Sequence, residues 1–459
     1  MTDVVDATIR VPWHLRGNFA PVFDEVVVDR LDVVGAIPPA IDGLFVRNGA
    51  NPRTGKSPHW FFGNGMLHGV RLVGGKAQWY RNRYVRTGLY DNDRLPMFND
   101  DGTIDRVKGS AANTHVVCHA GRILALEEGH VPWEVDPKLE TVGPHTFGGR
   151  LTTAMTAHPK VCPETGEMLF FGYGVLPPYL TYHRVDAAGN LVQSEEIAVP
   201  GPTMMHDFNI TRNYAVFMDL PVIFDMEIAM KGGMPFRWDD DYGARLGVMP
   251  RSGSNADVRW FSIEPCYVFH PMNAYERNGV GGREIVLDVG RFKSMWRKGS
   301  EEFDSVALLH RWVLNLDTGA SYEEQLDDRP AEFARIADAV VGQENRFGYM
   351  TATRPGNGES VFASELFKYD LRTGERQSHD CGPRRKPGEA VFVADPDAQG
   401  EDAGWVLTYV FDDTTNTSDL VIIDATDFSG PPVATVKLPN RIPFGFHGSF
   451  VSAGEMPDG

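Results

Sequence analysis

The chain has 459 residues, 42% of them hydrophobic and 23% charged, as is ordinary for a globular protein. A formal net charge of −18 argues against a nucleic-acid partner, which calls for clustered Lys and Arg. No apolar run approaches the roughly 20 residues of a spanning helix, the N-terminus MTDVVDATIRVPWHLRGNF lacks the apolar core of a secretory signal, and Cys118, Cys162, Cys266 and Cys381 form no C-x-x-C, so a reducing, cytoplasmic setting is expected.

Along the chain, short β-rich runs alternate with frequent turns. A strand, a turn rich in Gly, Asp or Thr, and a second strand recur in RLVGGKAQWY (71–80), EVDPKLETVG (134–143) and YHRVDAAGNLVQSEEI (182–197). They recur again in WVLNLDTGASYEEQL (312–326), FKYDLRTGERQSHD (367–380) and IIDATDFSGPPVATVKL (422–438). Between them lie apolar strands such as MLFFGYGV (168–175), YAVFMDLPVI (214–223), REIVLDVG (283–290) and GWVLTYVF (404–411). Helices are expected only as short pieces, at DMEIAMKG (225–232) and AEFARIADAVV (331–341).

Outer hairpins repeated along the whole chain point to an all-β fold, a β-propeller. Two β-sandwiches are the alternative. With no linker or low-complexity break, residues 1–459 read as a single domain, with 1–35 an N-terminal arm packing on the propeller.

Of 14 histidines, four sit beside strand-like apolar sequence: His158 in TAHPK, His206 in MMHDF, His270 in VFHPMNAYE and His447 in FGFHGSF. Inner strands of successive blades face one axis, so one residue from each of several blades can meet there. Neutral imidazoles suit Fe, Zn, Cu or Ni. Zinc sites usually include cysteine or carboxylate, or hold only three histidines. Four neutral ligands with open positions favour a redox metal. His59 and His68 flank a Gly-rich turn. His115, His119, His130, His145, His183, His310 and His379 are read as turn or outer-strand residues and His14 as part of the arm, none of them ligands.

Taken in order, GLFVRNGANP (43–52), HWFFGNGMLHGV (59–70), NRYVRT, TAHPK, MHDF, HPMNAYE, EFARI and GFHG resemble the carotenoid cleavage oxygenases, which include stilbene-cleaving dioxygenases. The resemblance covers nearly the whole chain. It implies a seven-bladed β-propeller whose top carries loops and short helices over an apolar tunnel. It implies Fe(2+) on the axis held by His158, His206, His270 and His447. Glutamates at Glu128, Glu332 and Glu389 would bond the other nitrogen of ligand histidines, and Thr114 would crowd an open iron position. Two motifs depart from the family: Phe62-Gly63-Asn64-Gly65 replaces Asp-Gly-Asp-Gly, and EFAR replaces EFPR.

The implied reaction is cleavage of an alkene C=C by O2 to two carbonyl products. The substrate would be an apolar conjugated small molecule, a carotenoid or apocarotenoid, with a stilbene (hydroxystilbene or lignostilbene) or a phenylpropene as the alternative. Stilbene-cleaving members carry lysine just before the first glutamate. Glu127 stands there instead and would repel a phenolate, while Tyr90 could meet a phenol. The apolar stretches 174–182 and 224–236 are candidates for the tunnel mouth and for peripheral membrane contact. A hydrolytic propeller with an oxygen-ligated Ca2+ or a Zn2+ site, and a non-catalytic binding propeller, are the rival classes. The oligomeric state is left open.

Overall fold

The computed structural model describes residues 11–457 apart from 93–94, 301–302 and 357. Seven antiparallel blades succeed one another around an axis, so the fold is the expected seven-bladed propeller. Blade 1 combines both chain ends. Its innermost strand, Gly448–Ser452, pairs with Gly43–Arg47, followed outward by Met66–Val73, Lys76–Tyr84 and Val27–Asp29. The innermost strands of blades 2 to 6 are His115–His119, Lys160–Val161, Asn209–Ile210, Tyr267–Gly279 and Ala331–Arg335. In blade 7 the inner position is shared by Arg385–Pro387 and Val391–Ala394, both paired with Gly404–Asp412, while Val33–Gly35 extends the outer edge.

Neighbouring blades cover both faces of each sheet, so the middle strands are apolar on both sides rather than alternating. Met168, Leu169, Phe170 and Phe171 are consecutive and fully buried. The blade 4–5 interface packs Val216, Leu246 and Val248 with Ile285, Leu287 and Trp312; the blade 7–1 seam packs Leu407 and Leu420 with Phe45 and Val70.

All six hairpins read from the sequence form at the expected places. A seventh, Arg245–Pro250 with Arg259–Ser262, belongs to blade 4. Its connection carries a 3-10 turn, Asn255–Asp257, closed by a capping box between Ser254 and Asp257. The short helix expected in DMEIAMKG is Met226–Met230, with Asp225 accepting from the N–H groups of Glu227 and Ile228. The other expected helix is corrected: Ala331–Arg335 is the innermost strand of blade 6, and only Asp338–Val340 turns, as 3-10.

Of the expected arm 1–35, residues 1–10 lie outside the described residues, and Val27–Asp29 and Val33–Gly35 are edge strands of blades 1 and 7 rather than parts of an arm. Trp13 and Phe19 pack with Phe362, Phe411 and Phe444, tying this segment to the top face. Among the described residues, no helix is long and apolar enough to cross a membrane.

Candidate metal centre

His158, His206 and His447 lie just before the innermost strands of blades 3, 4 and 1, and His270 lies within that of blade 5. The propeller carries all four to the axis, where their potential ligand nitrogens lie within 4.8 Å of one another. Nε2 of His206 is 3.0 Å from Nε2 of His158 and 3.2 Å from Nε2 of His270. All four are at most 7% exposed.

The opposite ring nitrogens explain the orientation. His447 donates Nδ1–H to Glu389 Oε1 at 2.9 Å, and His270 donates Nδ1–H to Glu332 Oε2. Glu128 Oε1 lies against His206 Nδ1, without the directed hydrogen-bond geometry of the other two pairs. Each carboxylate is itself anchored. Glu389 accepts from the Gly448 N–H at 2.8 Å, Glu332 from the Phe333 N–H, and Glu128 from the Tyr173 hydroxyl at 2.6 Å. Protons held at Nδ1 leave lone pairs at Nε2. Lone pairs converging at about 3 Å repel unless a cation sits among them, so the donor set fits a metal ion with imidazole preference.

His158 differs. Its nearest carboxylate is Asp207, with Oδ2 3.6 Å from Nδ1, and Asp207 is ion-paired to Lys160 at 2.8 Å. Asp207 escaped the sequence reading because it follows His206 directly and resembles a strand-edge acid. Burial and the positive charge of neighbouring imidazoles hold His158 and His447 well below the usual histidine pKa. Burial opposes charge on His270 too, but Glu332 outweighs it and raises that pKa.

Irregular backbone aims these groups. The blade 5 pairing shifts register on either side of Pro271, next to His270, and the blade 6 pairing shifts after Glu332, where Phe333 takes φ +57°. Glu389 occupies the gap between the two inner strands of blade 7. Bulges re-aim side chains in this way beside functional sites.

A cavity of about 840 Å³ opens above the centre, lined by His206, His270, His447 and by Phe61, Phe269 and Phe446. Gly174 and Val175 from one predicted mouth segment, and Phe224, Met234 and Phe236 from the other, also line it.

The chain matches the family model described as retinal pigment epithelial membrane protein (RPE65) over residues 19–452. It is 38% identical to a carotenoid cleavage oxygenase of Mycobacterium tuberculosis, covering 95% of this chain and 97% of that protein. A carotenoid 9,10(9',10')-cleavage dioxygenase of Crocus sativus is 35% identical, over 97% and 90% of the two chains. The chain belongs to the carotenoid cleavage oxygenase family.

Solved structures agree with this family membership. The lignostilbene dioxygenase of Pseudomonas brassicacearum matches with a TM-score of 0.85 at 30% identity, covering 97% of this chain and 99% of that one. A cobalt-substituted apocarotenoid oxygenase (ACO) of Synechocystis matches with 0.82 at 26% identity, over 94% and 97%.

In this family member, Thr114 lines the cavity. Its carbonyl accepts the His447 N–H at 3.1 Å, and its hydroxyl donates to Asn113 at 3.0 Å. Two expectations are corrected. His115 and His119 are neither turn nor outer-strand residues, since they start and end the innermost strand of blade 2. The His115 ring lies 5.2 Å from that of His447, and its Nδ1 bonds the Ala157 carbonyl at 2.7 Å. Burial, reinforced by His447, pushes its pKa down to about 3. Tyr90 lies outside the cavity wall, between the guanidinium groups of Arg53 and Arg86.

Glu127 does line the cavity, but its charge is engaged within the protein. It accepts from His130 Nδ1 and from the Gly129 N–H at 2.9 Å. A carboxylate committed in this way repels a ligand less than the sequence alone suggests.

Proposed function

We propose that the chain binds iron(II) through His158, His206, His270 and His447. With O2 as co-substrate, it cleaves one C=C bond of a carotenoid or apocarotenoid to aldehyde or ketone products. The observation that carries this reading is the buried convergence of four imidazoles, three of which, His206, His270 and His447, line a largely apolar cavity. Its family membership is that of relatives named for carotenoid cleavage.

Bound at the four histidines, the metal supplies binding and activation of dioxygen. The chain's own residues do the rest. Glu128, Glu332 and Glu389 fix the ring orientations, and bonds from Tyr173, Phe333 and Gly448 fix the carboxylates in turn. Phe61, Phe269, Phe333 and Phe446 exclude water and hold an extended polyene by its faces. Thr114, beside His447, narrows the approach. No side chain need act as nucleophile or general base. Selection of the bond follows from how far the substrate enters, an effect of orientation.

A hydroxystilbene substrate is the second reading, supported by the likeness to lignostilbene dioxygenase. Four free cysteines support a cytoplasmic location. Met97, Leu176, Met226 and Met230 are 49%, 47%, 52% and 75% exposed, in segments that contribute to the cavity wall. That rim supports peripheral contact with a membrane holding the substrate.

The test combines metal analysis of purified protein with an aerobic assay of apocarotenals against hydroxystilbenes, products being identified by mass. One iron per chain, lost together with cleavage in His447→Ala, is the expected result. A folded protein without metal-dependent cleavage overturns the reading.

A further inference from the structure

The carboxylates along the wall next to Glu128 are committed to partners within the protein. Asp105 accepts the N–H groups of Val107, Lys108 and Gly109 at 3.1, 3.1 and 2.6 Å. Glu127 is held by His130 and Gly129, and Glu128 by Tyr173. Arg106 is the exception. It lines the same cavity, is partly buried, and makes one hydrogen bond, from Nη1 to the Gly129 carbonyl at 3.0 Å.

Among the described residues, no carboxylate oxygen lies within 4.0 Å of its guanidinium nitrogens. Arginine presents five N–H donors in a rigid fork. Nη2 lies 3.5 Å from where a Cβ on Gly174 would be, an ordinary van der Waals contact, so the guanidinium packs against this glycine. Gly174 follows Tyr173, the residue that anchors Glu128. A cation with unspent donors therefore lines the same cavity as His206, His270 and His447, on a stretch of wall shared with Asp105 and Glu127.

We propose that Arg106 binds a hydrogen-bond-accepting oxygen at one end of the conjugated substrate and thereby sets which double bond lies over the four histidines. This rests on the reading of the site as an alkene-cleaving centre. A few fixed polar groups in an otherwise apolar pocket set the orientation of what it holds. The ligand chemistry is a hydroxyl, phenol or carbonyl oxygen on an extended conjugated frame. That oxygen could belong to the end group of an apocarotenoid or to the ring of a hydroxystilbene.

The test uses two matched pairs with the metal-loaded protein: an apocarotenoid with and without its terminal oxygen, and 4-hydroxystilbene with stilbene. Binding is read by quenching of tryptophan fluorescence under anaerobic conditions, and cleavage separately as KM, kcat and product mass. In the wild type, the oxygenated member of at least one pair should bind roughly tenfold to a hundredfold more tightly, the range of one to two charge-assisted hydrogen bonds. Arg106→Met should bring that ratio near unity, mainly through KM, and spread cleavage over neighbouring double bonds. Arg106→Lys should restore part of it.

The pair that responds identifies the source of the oxygen. Equal binding of both members of both pairs by the wild type overturns the proposal, whether or not Arg106→Met folds. So does an unaltered ratio in a folded Arg106→Met protein. A ratio that depends on Arg106 in a protein that cleaves no alkene upholds the oxygen site and overturns the proposed reaction instead.

Discussion

Glu389 grips His447 at two points: one carboxylate oxygen accepts the imidazole Nδ1–H at 2.9 Å and the other accepts the N–H of the next residue, Gly448, at 2.8 Å. Side chain and main chain at the start of the last strand are thus held by one carboxylate, and both residues are at most 5% exposed. Glu389→Gln keeps the shape but exchanges an acceptor for a donor. It should weaken metal retention by roughly 10- to 100-fold, the usual cost of losing a carboxylate behind a ligand histidine. Metal content after graded dialysis against a chelator measures this; retention equal to wild type would contradict the assigned role.

Truncation of the chain after His447 should abolish the native fold as well as metal binding. Gly448–Ser452 is the innermost strand of blade 1 and supplies a full edge of pairing to Gly43–Arg47. Its loss exposes Leu44 and Val46, buried in the adjoining core. Circular dichroism and gel filtration of the truncated chain should show aggregation or a broad, uncooperative melt.

Gly445→Ala should destabilise by about 1–3 kcal/mol, the usual cost of overpacking. A Cβ at that position would meet the Asn48 carbonyl oxygen at 2.7 Å and the Gly49 Cα at 3.0 Å, backbone atoms that cannot swing aside. Because His447 is two residues on, metal retention at the four histidines should fall as well. A denaturation midpoint and metal assay on the same preparation test both effects.

Acid should destabilise the protein partly through buried histidines outside the four-histidine centre. Burial holds His59 and His183 down to about 4, against an ordinary 6.5. Below pH 6.5 the unfolded chain takes up protons that the folded chain refuses. Stability that is fully present above 6.5 therefore drains as the pH falls toward 4, by up to about 3 kcal/mol for each group. His183→Phe should lower the melting temperature at neutral pH, since Thr153 and Ser194 lose a partner, each at 2.8 Å. The same substitution should flatten the decline between pH 6.5 and 4. An equally steep decline would show that His183 does not carry it.

The blades and the four histidines were legible because both depend on local pattern. Hairpins announce themselves through Gly-Gly at 74–75 or Asp-Thr-Gly at 317–319, and the histidines lie in short apolar runs. The blade 4 hairpin was not, since its ends are joined by a capped 3-10 turn rather than a tight Gly turn. AEFARI was misread because Ala, Glu and Arg favour helix in isolation, whereas pairing with Phe347–Thr353 decides the outcome. Asp207, His115 and Arg106 take their significance from neighbours on other blades or loops, which no local window contains. The position of Glu127 was visible, but its engagement by His130 was not.

The pairing of Gly43–Arg47 with Gly448–Ser452 also sets a timetable for biosynthesis. While a ribosome makes the chain, at roughly 5–20 residues per second, blade 1 stands without its inner strand and the axis without His447. For much of translation the nascent protein has at most three of the four imidazoles. A metal held by all four histidines would thus be acquired at a late stage of maturation, when little of the polypeptide remains unfolded.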